Sequence, residues 1–180
     1  MKRNIRCIYI DGIEKSGKTS IVREMRRFLK ENGKDLHEIN GTDVPTLSKQ
    51  KVLLEDNEKS FILKENGLLS VFYNEFKEYH GVKYIEKNHG DIIGLEKTID
   101  HGYGAVHFFL VPENIEAIKE RFEVGEMPKY MSTVVDFYKS INLYSIAQGL
   151  DIRLITFDED DRIYDIRDKI FKSLEDNYKI

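Results

Sequence analysis

The sequence feature that most constrains the fold is the run Gly12-Ile13-Glu14-Lys15-Ser16-Gly17-Lys18-Thr19, which matches the pattern G-x-x-x-x-G-K-[ST]. A short apolar run, Ile5 to Ile10, precedes it and predicts a buried strand. After it, apolar residues recur at helical spacing from Gly17 to about Asn32, and Gly33 supplies a helix stop. This order of strand, glycine-rich loop and helix is typical of a phosphate-binding loop, because the glycines let backbone N–H groups converge on a phosphate at the start of the helix.

The rest of the chain alternates predicted strands with predicted helices. Further strands are expected at Asp35–Ile39, Val82–Glu86, Ala105–Val111 and Ile152–Phe157. Helices are expected at about Thr46–Asp56, Glu58–Tyr79, Pro112–Phe122, Tyr130–Gly149 and Arg162–Tyr178. This alternation predicts a three-layer α/β fold with a parallel sheet, and 180 residues are enough for a single domain.

Composition narrows the classes of partner. The 28 Lys and Arg residues against 32 Asp and Glu residues give a net charge of −4, so the chain as a whole does not attract nucleic-acid phosphates. Cys7 is the only cysteine, which excludes an intramolecular disulfide and fits a reducing, cytoplasmic setting. No apolar stretch approaches the roughly 20 residues that cross a bilayer, so we expect no membrane partner.

The phosphate-binding motif predicts ATP and Mg²⁺ as cofactors. In this motif the lysine, Lys18, reaches the β- and γ-phosphates, and the hydroxyl of Thr19 ligates Mg²⁺. A GTPase would carry an Asn-Lys-x-Asp sequence for base recognition, and none occurs here. The short chain and the polar, Gly- and Pro-bearing segment Glu123 to Lys129 together favour a small-molecule kinase with a lid.

The run Ile10 to Ser20 resembles the phosphate-binding loop of the thymidylate kinase and deoxynucleoside kinase group of P-loop kinases, including an acidic residue two places after Gly12 and the Thr19-Ser20 pair. This resemblance implies a P-loop NTPase fold with a five-stranded parallel sheet in the order 2-3-1-4-5 and a short lid at about 123–130. It implies ATP- and Mg²⁺-dependent transfer to a deoxynucleoside monophosphate, giving the diphosphate. Members of this group often form homodimers, so a homodimer is left open.

The resemblance also implies which residues bind the cofactor and stabilise the transferred phosphoryl group. The expected cofactor-binding residues are Gly12, Glu14, Lys15, Ser16, Gly17, Lys18, Thr19 and Ser20. Lys15, inside the loop, and Arg121, before the lid, would join Lys18 in stabilising the charge on the moving phosphoryl group.

On the acceptor side, the pair Glu86-Lys87 falls where the group has an acidic residue and an arginine at the end of its third strand. Glu86 would hold Mg²⁺ or orient the acceptor, and Lys87 would contact the acceptor's phosphate. Glu14 would face the sugar hydroxyl, with Glu38 and His89 as weaker acceptor contacts. The structural alternatives are a solvated loop carboxylate for Glu14, an ion pair between Glu86 and Lys87, and an ordinary loop histidine for His89.

Three other functions stay open. A nucleoside kinase would use Glu38 or Glu86 as its base. A kinase acting on a hydroxyl of DNA, at a 5′ end or on a modified base, would use the basic stripe that Arg23, Arg26, Arg27 and Lys30 form on the first helix, although such stripes are more often solvated faces. The chain lacks the Arg-Glu-Pro-Gly-Gly-Thr stretch that the group carries after its second strand, which leaves open a nucleotide-binding protein without transfer activity.

Overall fold

The computed structural model describes residues 3–40, 60–64, 105–122, part of 131–142, and 152–179. The strands of these segments are β1 (Arg3–Asn4), β2 (Cys7–Gly12), β3 (His37–Asn40), β4 (Phe61–Lys64), β5 (Ala105–Pro112), β6 (Ile152–Phe157) and β7 (Tyr178–Lys179). The helices are α1 (Lys18–Glu31), a 3-10 helix (Ile115–Arg121) and α2 (Ile163–Leu174). Described residues of 131–142 are also helical, and we call them the 131–142 segment.

The main sheet is parallel and has β2 at its centre. Its strands are ordered β3-β4-β2-β5-β6. Cys7 to Ile10 pair with β4, and Cys7 to Gly12 pair with β5. All six residues of β2 are buried, as expected of a central strand covered on both faces. The predicted α/β architecture with a parallel sheet is therefore confirmed, and the loop after Gly12 leaves from the carboxyl edge of the sheet, where open α/β sheets bind their ligands.

The third strand differs from the sequence-based expectation. Residues 61–64 fall inside the predicted helix Glu58–Tyr79, but they form β4, which pairs with both β2 and β3. A short apolar run fits a strand or a helix equally well by periodicity, and here a strand satisfies backbone groups on both sides. Ile62 of this strand is fully buried. The predicted strand Val82–Glu86 lies outside the described residues, so the predicted position of Glu86 at a strand end is not tested.

Two element boundaries are also corrected. Pro112 ends β5 instead of opening a helix, and the turn that follows is a 3-10 helix whose start is capped by the Asn114 side chain, which accepts from the backbone N–H of Glu116. The closing helix, expected to reach Tyr178, ends at Leu174. The chain then forms β7, which pairs in parallel with β1.

Helices α1 and α2 pack against each other beside the sheet. Each buries an apolar stripe, and the two stripes consist of Ile21, Val22, Met25 and Leu29 and of Ile166, Ile170, Phe171 and Leu174. Phe28 and Phe171 meet with ring centres 4.6 Å apart. Among the described residues, no helix is long and apolar enough to span a membrane.

Candidate phosphate-binding site

The loop between β2 and α1 has a backbone shape that depends on its glycines. Gly12 has φ +145°, and a Cβ atom there would lie 2.3 Å from the carbonyl oxygen of Leu110 on β5. Gly17, which precedes α1, has φ +87°, and Lys15 adopts φ +61° although it is not a glycine. The backbone N–H of Ser16 donates to the carbonyl of Ile13 over 3.3 Å. Glycine is thus required at position 12 by both the dihedral angle and the neighbouring strand.

The start of α1 opens onto a cavity of about 420 Å³. Its lining consists of Glu14, Lys15, Gly17, Lys18, Thr19 and Ser20. The first turn of α1 carries no acidic residue, and the residue before it, Gly17, has no side chain to cap the helix. The buried Oγ of Ser16 has no hydrogen-bond partner. A helix start without a side-chain cap and an unpartnered buried hydroxyl beside it fit an anion such as the phosphates of ATP.

Lys18 lies at the base of the loop. Its ammonium group donates to the carbonyl oxygens of Gly12 and Ile13, each over 2.9 Å. The side chain is only partly buried and also lines the cavity. The positive charge of Lys18 therefore lies beside the cavity at the amino end of α1, where the helix dipole favours a bound anion.

Arg121 reaches the same loop from the end of the 3-10 helix. Its Nη1 donates to the carbonyl oxygen of Lys15 over 3.1 Å. Its guanidinium carbon also lies 5.1 Å from the ring centre of Phe157, the last residue of β6. The structure thus brings Arg121, expected from sequence to act near the phosphates, against the phosphate-binding loop.

Tyr138 contacts the loop from the 131–142 segment, and the sequence analysis did not identify it. Its hydroxyl donates to the carbonyl oxygen of Gly12 over 3.3 Å. Its ring packs against Phe109 with centres 5.0 Å apart, and the side chain is buried. In sequence, Tyr138 is one aromatic residue of a predicted helix, and no local pattern distinguishes it from a core residue.

The remaining predicted site residues are not brought together by the described part of the structure. Glu38 is on β3, where its Oε2 is 2.8 Å from Nη1 of Arg26 on α1, and it does not line the cavity described above. Glu86, Lys87, His89 and the predicted lid at 123–130 lie outside the described residues.

The basic stripe on α1 is partly neutralised. Arg26 is paired with Glu38, and Nη2 of Arg27 is 2.8 Å from Oε1 of Glu24. Arg23 and Lys30 are exposed. The stripe is therefore not a continuous positive surface. It fits a solvated helix face better than a DNA-binding surface.

Of the two predicted metal ligands, Thr19 and Glu86, the structure describes only Thr19. Thr19 is exposed to the cavity beside Lys18, and Glu86 is outside the described residues. The described segments contain no group of three or more His, Cys, Asp or Glu side chains that could hold a metal ion. A magnesium ion at this site would therefore depend on the Thr19 hydroxyl together with ligands from the nucleotide or from elsewhere in the chain.

The sequence matches no protein-family model and no curated protein. Solved structures are similar in shape. A gluconokinase from Sinorhizobium meliloti 1021 aligns over 97% of this chain and 94% of its own, with 13% identity and a TM-score of 0.52. For thymidylate kinase from Candida albicans the coverages are 97% and 92%, the identity 14% and the TM-score 0.55.

The YorR protein from Bacillus subtilis, solved in complex with phosphorylated GDP, aligns over 94% of this chain and 95% of its own, with 14% identity and a TM-score of 0.57. Identities this low show a common fold and no more. The order of strand, glycine-rich loop and helix, the parallel sheet and these similarities lead to one conclusion: the chain has the fold of the P-loop kinases.

Proposed function

We propose that this protein is an ATP- and Mg²⁺-dependent kinase that transfers a phosphoryl group to a deoxynucleoside monophosphate. The observation that carries the proposal is that Lys18 and Thr19 line one cavity at the start of α1, while Arg121 is bonded to the loop that borders it. Catalysis of phosphoryl transfer consists mostly of positioning and charge stabilisation, and these are the groups that it requires.

Each loop residue has a role in this proposal. ATP supplies the phosphoryl group and Mg²⁺ neutralises part of its charge. Lys18 turns from the Gly12 and Ile13 carbonyls toward the phosphates, and the Thr19 hydroxyl contributes a metal ligand. The buried hydroxyl of Ser16 gains a partner on the phosphate side. Lys15 and Arg121 add positive charge at the rim of the cavity.

The acceptor is proposed to be a nucleotide. Glu14 lines the same cavity as Lys18, and its carboxylate is the proposed contact for an acceptor hydroxyl. Glu86, Lys87 and His89 remain the proposed acceptor contacts, on the resemblance of the sequence to thymidylate kinases, whereas the carboxylate of Glu38 is paired with Arg26. The fold is similar to that of a thymidylate kinase and of a protein solved with phosphorylated GDP, but also to that of a gluconokinase, so the choice of a nucleotide acceptor rests on the resemblance of the sequence from Ile10 to Ser20.

The test is transfer of labelled γ-phosphate from ATP with Mg²⁺. The acceptors are deoxynucleoside monophosphates, including those with modified pyrimidines, together with nucleosides and a DNA oligonucleotide. Lys18→Met is the inactive variant, and Lys119→Met is the matched control, because Lys119 is exposed and paired with Glu116 away from the cavity. We expect label on a monophosphate with wild type and the Lys119 variant, and a loss of at least about 100-fold with Lys18→Met.

Other outcomes would change the assignment. Label on nucleosides alone would make the protein a nucleoside kinase. Label on DNA that falls steeply with salt would make it a DNA kinase, because DNA binding releases counterions. Binding of ATP with no label on any acceptor would overturn the kinase proposal in favour of a nucleotide-binding protein. Light scattering on the same sample tests whether it is a homodimer.

A further inference from the structure

The carbonyl group of Gly12 accepts two hydrogen bonds from side chains far apart in the chain. Nζ of Lys18 lies 2.9 Å from this oxygen, and the hydroxyl of Tyr138 lies 3.3 Å from it. Gly12 is buried, and it is also fixed from the β5 side, since its Cα pairs with Leu110 and no side chain fits at this position. The backbone at Gly12 therefore lies tight against β5.

We infer that Tyr138 is a positioning residue that keeps the Gly12 carbonyl hydrogen-bonded when Lys18 turns from it to a bound phosphate. This inference rests on the proposed function, because it requires a ligand that draws the Lys18 ammonium group away. A buried carbonyl that loses its donor is costly, so a second donor that stays behind lowers the cost of moving Lys18.

The geometry fits a second donor that strengthens when the first leaves. A hydroxyl bonded to a carbonyl usually lies about 2.7–2.8 Å from it, so the 3.3 Å contact of Tyr138 is long. The 2.9 Å contact of the charged Lys18 is the stronger of the two in this structure. The buried Tyr138 ring, packed against Phe109, holds the hydroxyl at the carbonyl without depending on a ligand.

The substitution that isolates the hydroxyl is Tyr138→Phe, which keeps the ring packed against Phe109. Tyr178→Phe is the matched control. Tyr178 is also buried, but it lies on β7, which pairs with β1. Strand β1 precedes the amino end of β2, whereas Gly12 lies at the carboxyl end of β2. We expect the Kd for ATP with Mg²⁺ to rise about fivefold in Tyr138→Phe and to stay unchanged in Tyr178→Phe. In steady-state assays the KM for ATP should rise by the same factor, with kcat within about twofold.

A stability cycle without nucleotide tests the shared carbonyl directly. In wild type, Tyr138→Phe leaves Lys18 on Gly12, so Tm should fall by less than about 2 °C. In a Lys18→Met background, Tyr138 is the remaining side-chain donor of the two, and the same substitution should lower Tm by about 4 °C or more. A merely structural hydroxyl would cost the same in both backgrounds.

The outcomes separate this inference from the proposed function. Equal losses of Tm in the two backgrounds, or an unchanged Kd for ATP in Tyr138→Phe, would overturn the positioning role of Tyr138. Failure of the wild type to bind ATP would overturn the proposed function and the ligand-dependent role with it. The stability cycle would then still decide whether Tyr138 and Lys18 share the Gly12 carbonyl, because it needs no nucleotide.

Discussion

Arg121 donates a hydrogen bond to the carbonyl oxygen of Lys15 over 3.1 Å, and the two residues are 106 positions apart in the chain. Lys15 adopts φ +61°, a conformation uncommon for residues with a side chain, so its carbonyl is presented by an unusual local backbone. The guanidinium carbon also lies over the Phe157 ring, 5.1 Å from the ring centre. These contacts fix a permanent positive charge beside the loop that joins β2 to α1.

Substitution of Arg121 should slow phosphoryl transfer more than it weakens ATP binding. We expect Arg121→Ala to lower kcat about 100-fold, because a fixed charge near the moving phosphoryl group is lost. Arg121→Lys should recover only part of this rate, since an ammonium group lacks the planar fork that bonds Lys15 and stacks on Phe157. The control is Lys119→Ala, on the same 3-10 helix. A wild-type kcat in Arg121→Ala would contradict a role in transfer.

Two glycines of positive φ should differ in what an added methyl group costs. A Cβ at Gly12 would lie 2.3 Å from the Leu110 carbonyl oxygen, whereas one at Gly33 would meet nothing within 4 Å. We expect Gly12→Ala to lose about 3 kcal/mol or more of unfolding free energy and Gly33→Ala about 1 kcal/mol, the cost of the left-handed backbone alone. Urea unfolding of both variants measures this, and equal losses would show that the contact with β5 is not tight.

The sequence predicts an element well where the local spacing of its apolar residues matches the positions that the folded chain buries. Strand β6 was predicted at its observed bounds, Ile152–Phe157, because apolar residues of this short run, Ile152, Ile155 and Phe157, are the ones that the structure buries. Helix α1 was predicted because its apolar spacing and its glycine loop agree. Strand β4 was missed because four residues carry too short a pattern to separate strand from helix, and its pairing with β2 and β3 is not visible in sequence.

The site shows the same division. A motif of fixed spacing identified the candidate phosphate-binding loop, since the residues that line its cavity all lie close together in sequence, between Glu14 and Ser20. Tyr138 was missed because its hydroxyl meets Gly12 only after the 131–142 segment packs against β5. The sequence could not show that the carboxylate of Glu38 pairs with Arg26, which lies twelve residues earlier in the chain.

The thiol of Cys7 should be unreactive in the folded protein. Cys7 is fully buried at the start of β2, and burial raises the pKa of its thiol well above the usual range. Because the thiolate is the reactive form, Ellman's reagent at pH 8 should label no thiol in the native protein and one thiol per chain in denaturant. Prompt labelling without denaturant would show that β2 opens locally.

The carboxylate of Glu24 joins α1 to α2 and should make stability depend on pH. Its Oε1 lies 2.7 Å from Nη1 of Arg167 on α2 and 2.8 Å from Nη2 of Arg27. Only 11% of the Glu24 side chain is exposed. The hydrogen bond from Arg27, with that from Arg167, holds the pKa of Glu24 below its ordinary value of 4.5. The stabilisation is therefore present above about pH 4.5 and is lost as the pH falls through the lowered pKa.

We expect Glu24→Gln to lose about 1–3 kcal/mol of unfolding free energy at pH 7, because it leaves two guanidinium groups without their shared charge partner. The gap between wild type and variant should narrow as the pH is lowered from 5 toward 3, since the wild-type carboxylate is then neutral as well. Glu116→Gln is the control: its ion pair with Lys119 is exposed, so its loss should leave the unfolding free energy almost unchanged. Urea unfolding at several pH values measures both variants, and a gap that persists unchanged at pH 3 would mean that packing rather than charge accounts for the loss.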